Sequence, residues 1–506
     1  MSGTTRRCWA ALAAAAAALS FAPAALAGPA ALAAPAALAA VDACSTRVND
    51  THAKLAECIT LAGVREHQAA LQRIADANHG TRVSGSPGYD ASVDYVVQRL
   101  RAVGYTPDVQ AFVFNTFVSL APSVVERVSP APTGQVTNTI LAYSGSGDVT
   151  AAVTALPGTP VDATPGCDVA DFAAFPVGTI ALVPRGSCTF AIKAQNAHAA
   201  GASAVIIANN VDTDLNGTLG EGFALDIPVT SVTQAVGDQL AMTGGRLLHV
   251  VTSTFRGPAT TYNVVAETRT GNDSNVVMAG AHLDSVNAGP GINDNGSGSA
   301  ALLEVAEQLA KVRPVNTVRF AWWGAEESNL VGSSRYVTGL SPEERSRIAL
   351  YLNFDMVGSP NPVFFVYDGD DSDATGIGPG PSGSDRIEKT FEAFYEQRHL
   401  PFKGTDFSGR SDYGPFIAAG IPSGGLFTGA EATKTAEEAA IWGGVAGRPY
   451  DSCYHQACDT VTNLDPHALD VNSDAMGFAI LQYGMNTSDI NGIPGRDDFP
   501  PVTPAP

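Results

Sequence analysis

His282, Asp294, Glu327, Asp355 and His455 offer two imidazoles and three carboxylates, the nitrogen and oxygen donors that zinc takes. If one carboxylate bridges two ions, each ion keeps one histidine and one carboxylate of its own. That stoichiometry suits a co-catalytic pair of ions about 3.5–4 Å apart. Glu326 sits beside a donor and is not needed as one, so it is free to serve as a general base. Taken singly, each of these residues reads better as a structural histidine or a solvated carboxylate. The elements that carry them have to decide.

Each donor falls where an apolar run gives way to a loop. NVVMAGAHLD reads as a buried strand ending in His282 and Asp284. A Gly-rich loop carrying Asp294 follows, and then the helical pattern SGSAALLEVAEQLAKV. TVRFAWWGAEE is a second strand, ending in Glu326 and Glu327, and ALYLNFDMVG a third, ending in Asp355. A late loop supplies Tyr454 and His455 beside Cys453. Strands alternating with helices mean an α/β fold with a mixed, largely parallel sheet. Ligands of such sheets bind at the carboxyl ends of the strands, so these residues are expected on one rim.

Upstream, VREHQAALQRIADA and ASVDYVVQRLRAVGY repeat apolar residues at helical spacing around the turn-rich NHGTRVSGSPGYD, and DVQAFVFNTF then reads as a strand. Residues 120–256 break the pattern with short Val-, Thr- and Gly-rich runs and one helix, CTFAIKAQNAHAAGA, which marks a small β-rich α/β module of its own. The main alternation resumes at TYNVVAETR. The organisation expected is a main domain in two pieces, 41–119 and 257–486, with 120–256 inserted. A Pro-rich tail, 487–506, is expected to be disordered.

The chain has 506 residues and a net charge of −21, with no basic patch of the kind a nucleic-acid binder shows. Arg6, Arg7 and the apolar run after them read as a secretory signal peptide, and residues 1–40 as that signal plus an Ala/Pro-rich low-complexity segment. No later run is long and apolar enough to span a membrane. The expectation is a secreted, extracellular monomer without a membrane or nucleic-acid partner. Besides Cys8, the six cysteines fall into sequence-local pairs, Cys44/Cys58, Cys167/Cys188 and Cys453/Cys458. In an exported chain they suggest disulfides, with metal ligation as the other reading.

The segments AHLDS, GINDNGSGSAALLE, RFAWWGAEE, YLNFDMVGSPNP, GRSDYGPF, GLFTGAEA and CYHQACD together resemble the secreted bacterial dizinc aminopeptidases, over roughly 59–115 and 260–485. The resemblance implies a zinc exopeptidase fold, a sheet sandwiched by helices. It also implies two Zn2+ and cleavage of N-terminal, Leu-like residues from peptides with a free N-terminus. It makes Asp294 the bridging ligand, pairs His282 with Asp355 on one ion and Glu327 with His455 on the other, and makes Glu326 the base. Asp284 matches the carboxylate that orients the first histidine, while Tyr454 and Arg410 match groups that meet the reacting carbonyl or position substrate. Met356, Gly409 and Phe427 match the wall of the side-chain pocket, and Cys453–Cys458 a disulfide bracing the His455 loop. The insert resembles the protease-associated domain, with Cys167–Cys188 as its disulfide and no catalytic residue.

Tyr413 stands where the resembling family often has histidine, which leaves that contact open. Asp470 and Asp474 match a late carboxylate pair that binds Ca2+ in some relatives, but the early partner position is Cys58, so calcium stays open. DGDDSD, 368–373, reads as a solvated acidic loop or a second calcium site. A carboxypeptidase or a glutaminyl cyclase on the same fold is the alternative chemistry, and a non-catalytic binding protein the alternative class.

Overall fold

In the computed structural model, residues 43–502 are described apart from 45, 158–163, 187, 216, 243–245 and 377. The signal and low-complexity segment, 1–40, lies outside the described residues. Residues 1–46 separate from 47–506 as a unit of their own, and the architecture below belongs to the second unit.

Its strands are β1 (Asp108–Ser129), β2 (Gly134–Gln135), β3 (Thr139–Ile140), β4 (Gly147–Ala155), β5 (Ile180–Pro184), β6 (Ala204–Ala208) and β7 (Val229–Val232). There follow β8 (Leu247–Glu267), β9 (Asn272–His282), β10 (Asn316–Trp323), β11 (Ile348–Phe354), β12 (Phe365–Tyr367), β13 (Lys403–Thr405) and β14 (Ser423–Phe427). The main sheet runs β13-β12-β14-β11-β9-β10-β8. β14, β11, β9 and β10 are parallel, while β12 and β8 join antiparallel. The expectation of a mixed, largely parallel sheet holds.

β9 shows why its sequence is apolar on both faces. From Asn275 to His282 every residue is buried, as in parallel sheets covered on both sides. Val277, Ala279 and Ala281 pack with the helices Leu61–Ala77, Pro87–Ala102, Gly296–Leu309 and Pro466–Met485. Met278, one residue out of phase, packs with Trp323, Tyr336 and Phe416 against the helices Val331–Gly339 and Tyr413–Ala418. Two residues per repeat along the strand put His282 on the Met278 face. Gly280 lies on that face too, where a Cβ would collide with Tyr351 and Trp323, whose Nε1 donates to the Tyr351 hydroxyl at 2.8 Å.

The insert is not set off by loops. β1 and β8 form one antiparallel ribbon paired from Asp108↔Val265 to Ser129↔Leu247, so the boundaries expected at 119/120 and 256/257 fall inside strands. The ribbon's inner half belongs to the main sheet, and its outer half pairs with β4. β4, β5, β6 and β7 continue as a parallel sheet, closed by antiparallel β3. Two hydrophobic clusters around Val205 and Ile206 give this module its own core. Alternation along short strands cannot report where a long ribbon passes from one core to the next.

The tail departs from expectation. Residues 487–502 include the short helix Ser488–Asn491 and a buried Phe499. Gln482 and Asn486 donate their side-chain amides to the Pro500 and Phe499 carbonyls at 2.9 and 2.8 Å, and Arg496 lies over the Phe499 ring. One aromatic anchor and satisfied backbone carbonyls hold a Pro-rich segment that composition alone marks as loose. Cys167–Cys188 and Cys453–Cys458 are disulfides, and Cys44 and Cys58 are disulfide-bonded residues as well. Among the described residues no helix is long and apolar enough to cross a membrane.

Candidate active site

The parallel strands end together on one rim. β9 delivers His282 at its last residue, and Asp355 follows directly on β11. Glu326 and Glu327 come three and four residues after β10. The backbone turns sharply beside them: Ala325, Met356 and His455 have φ of 54°, 51° and 57°. Left-handed backbone at non-glycine residues is costly and gathers at functional sites. The Asp294–Asn295 peptide is cis. Asn295 then caps the following helix, its Oδ1 accepting Gly298 N–H at 2.9 Å.

Asp294 presents one oxygen to each histidine. Its Oδ1 lies 3.3 Å from His282 Nε2 and its Oδ2 3.1 Å from His455 Nε2. Asp355 Oδ1 is 3.4 Å from His282 Nε2, and Glu327 Oε2 is 3.1 Å from His455 Nε2. The two halves of the cluster are thus His282–Asp355 and His455–Glu327, with Asp294 between them. Asp294 Oδ2, Glu327 Oε1 and Asp355 Oδ1 are buried without a hydrogen-bond partner. Buried carboxylate oxygens left so cost several kcal/mol unless a cation meets them. Orphaned oxygens together with imidazole nitrogens fit zinc as a donor set.

Glu326 lies beside the His282–Asp355 half, within reach of the same cation, but its Oε2 is farther from His282 Nε2, at 3.9 Å, than either neighbouring aspartate. Burial, reinforced by the Glu327, Asp412 and Asp355 carboxylates, holds its carboxyl well above the ordinary range against the pull of His282. Burial opposes the charge on His455, but Glu327 and Asp294 outweigh it and raise that imidazole.

The role expected of Asp284 is filled differently. His282 Nδ1 bonds to the Asp284 backbone carbonyl at 3.1 Å, while the carboxylate Oδ1 is 3.6 Å away, too long for a hydrogen bond. That carboxylate instead accepts the Glu326 N–H at 3.2 Å. The backbone carbonyl therefore sets the tautomer that aims Nε2 at the cluster, and the side chain steadies Glu326.

Tyr454 stacks on His455, with ring centroids 3.8 Å apart. Its hydroxyl accepts from Arg410 Nη2 at 3.2 Å, and Arg410 Nη1 donates to Glu431 at 2.8 Å. Burial, with Asp294 and Glu327 nearby, raises the Tyr454 phenol well above its usual value, so it stays a donor. A cavity of about 260 Å3 adjoins the cluster, and Met356, Phe427 and Arg410 line it. Gly409 does not. Its neighbours Ser408 and Arg410 are on the wall, while Gly409, at φ 75°, turns its N–H to the Tyr413 hydroxyl at 3.0 Å. Tyr413 is buried edge-on against Tyr367 and Phe407 and pins this loop.

Asp474 lies 3.7 Å from Arg398, and Asp470 is exposed on the same helix. Cys58, the early partner position, is disulfide-bonded and so offers no ligand. Among the described residues Asp470 and Asp474 gather no third donor.

Sequence reading misses the residues that hold the loop carrying Asp294. Arg82, in the stretch read as a polar turn, is fully buried. It donates to the carbonyls of Leu283, Pro290 and Gly291. Asp459 accepts the N–H groups of Asn293 and Asp294. Asn293 in turn donates to Asp451, which also binds Asn463. A buried arginine and an aspartate close behind a half-disulfide were the only available signals, and neither has a local period.

Residues 263–480 match the model of peptidase family M28, and residues 149–240 that of the PA domain. An aminopeptidase of Pseudomonas aeruginosa is 48% identical over 453 residues, covering 86% of this chain and 83% of that protein. A probable lipoprotein aminopeptidase of Mycobacterium tuberculosis, LpqL, is also 48% identical, over 85% of this chain and 86% of its own. Among solved structures, an aminopeptidase from Aneurinibacillus sp. strain AM-1 has a TM-score of 0.68 at 27% identity, covering 85% of this chain and 96% of its own. A zinc aminopeptidase from Bacillus subtilis has 0.65 at 25% identity, covering 84% and 95%.

Proposed function

The chain belongs to peptidase family M28, and we propose that it is a secreted zinc-dependent aminopeptidase with two ions at the Asp294 cluster. The observation that carries this reading is the bridging placement of Asp294, one oxygen toward each histidine. His282 and Asp355 would hold one ion and His455 and Glu327 the other, with Asp294 shared between them. When bound, the ions polarise the scissile carbonyl and acidify the attacking water.

The chain's own residues do the rest. Glu326 is the proton shuttle, taking the water's proton and passing it to the leaving amine. The Tyr454 hydroxyl, fixed by Arg410, donates to the oxyanion of the tetrahedral intermediate. The surplus of carboxylates attracts the α-ammonium of a free N-terminus. Met356 and Phe427 give an N-terminal side chain an apolar wall, which suits leucine. Export fits the disulfides.

The test is hydrolysis of leucine p-nitroanilide by the full chain, before and after chelation and with zinc returned. Activity lost to chelator and restored by two zinc equivalents supports the reading. Full activity in metal-free protein, or cleavage confined to peptides with a blocked N-terminus and a free C-terminus, refutes it.

A further inference from the structure

The cavity does not stop at the metal ligands. β13 is the edge of the main sheet, three places beyond β11, and its end residue Thr405, followed by Asp406, lines the same cavity as His282 and Asp355. Met356, Tyr367 and Phe427 lie on the wall they share. A carboxylate therefore stands in a substrate cavity, away from the residues assigned to the ions.

Among the described residues Asp406 has one side-chain donor. Thr375 Oγ1 is 3.1 Å from both of its oxygens, and a hydroxyl carries a single hydrogen. Behind it the 368–376 loop adds negative charge. Asp368 is buried and accepts the N–H groups of Ser372 and Asp373, and Asp371 accepts that of Gly376. Asp368, Asp371 and Asp406 bring oxygens within 4.8 Å of one another. Among the described residues no lysine, arginine or histidine pairs with these three. Lys389 goes to Asp370, and Lys403, beside them, goes to Glu438. Three carboxylates this close repel one another, and a cation delivered into the cavity relieves that repulsion.

We propose that the cavity takes a basic N-terminal side chain, lysine or arginine, and that Asp406 is the residue that selects it. This rests on the aminopeptidase reading above. The methylene stem lies along Met356, Tyr367 and Phe427 while the cationic head bonds to Asp406. Leucine uses the same apolar wall but leaves Asp406 without a cationic partner, so the chain cleaves both classes and gains on the basic one through this carboxylate.

The experiment measures kcat/KM for lysine and leucine p-nitroanilides with zinc-loaded full-length protein, wild type, Asp406→Asn and Asp406→Glu. The lysine-to-leucine ratio is expected to fall about tenfold or more in Asp406→Asn, the loss of one charge-assisted hydrogen bond, and to survive in Asp406→Glu. In the wild type alone, raising salt from about 0.05 to 0.5 M should lower the ratio severalfold by screening, a reading that does not depend on a variant folding. Wild-type protein that cleaves the leucine substrate but not the lysine one overturns the inference and leaves the aminopeptidase reading standing. A ratio unmoved by salt, or by Asp406→Asn, also overturns it, as does a calcium requirement lost in Asp406→Asn with both substrates affected alike. Failure to cleave either substrate removes the parent reading and this one together.

Discussion

Asp459 accepts the backbone N–H of Asp294 at 3.0 Å. Its other oxygen accepts Asn293 at 2.8 Å, so one buried side chain clamps both residues at the turn of this loop. It follows directly on Cys458, whose disulfide to Cys453 spans His455. The clamp therefore ties Asp294 to the loop that carries His455. Asp459→Ala should weaken zinc binding by about 10–100-fold, the usual cost of losing a group that orients a ligand. Competition with a chromophoric chelator reads this directly, and unchanged affinity would mean that the loop holds its shape without the clamp.

Glu326→Gln keeps the size and removes the base. We expect kcat to fall by about 10²–10⁴-fold with zinc content unchanged by atomic absorption. Loss of one ion from that variant would exchange the roles of Glu326 and Glu327.

Arg82→Met should destabilise the protein strongly without touching a ligand. It leaves the carbonyls of Leu283 and Pro290 in the interior without the donors that Arg82 supplies, at about 1–3 kcal/mol each, while the Gly291 carbonyl keeps the Gly296 N–H. Denaturant unfolding should show a loss of at least about 2 kcal/mol. A loss under about 1 kcal/mol would show that water or a repacked donor serves these carbonyls.

Glu388 gives stability a pH dependence. Burial, with Asp368 and Glu392 adding to it, pushes its carboxyl up to about 8 from an ordinary value near 4.5. Between those values the folded chain holds a proton that the unfolded chain has released. Stability contributed here thus falls as pH rises from about 4.5 to 8. Glu388→Gln should flatten that part of the curve. An equal slope in both proteins would place the dependence elsewhere.

The insert should be removable only along the ribbon. Thr116 pairs with Gly257 and Phe117 with Arg256, so replacing 118–255 with a two-residue hairpin turn keeps the inner ribbon paired. All five candidate ligands lie outside the excised segment. Zinc binding and cleavage of p-nitroanilides are expected to persist. A folded variant that binds no zinc would show that the insert shapes the rim.

Much of this was legible in the chain itself, for a physical reason. Strand and helix periods are local, so runs such as NVVMAGAHLD disclose a buried strand and the polar residue at its end. Parallel strands covered by helices then oblige those ends to share a rim. Tertiary structure alone decided what crosses large separations. Arg82 reaches the carbonyls of residues more than 200 positions away, and nothing near it repeats with a period. Asp406 entered the cavity because the chain placed its strand at the sheet edge beyond β12 and β14, an order that no local pattern encodes. The carbonyl in place of the carboxylate on His282 turned on a separation of 3.1 against 3.6 Å. Sequence determines which groups are present and roughly where each strand releases them. Differences of half an ångström, and partners far apart along the chain, are set by packing.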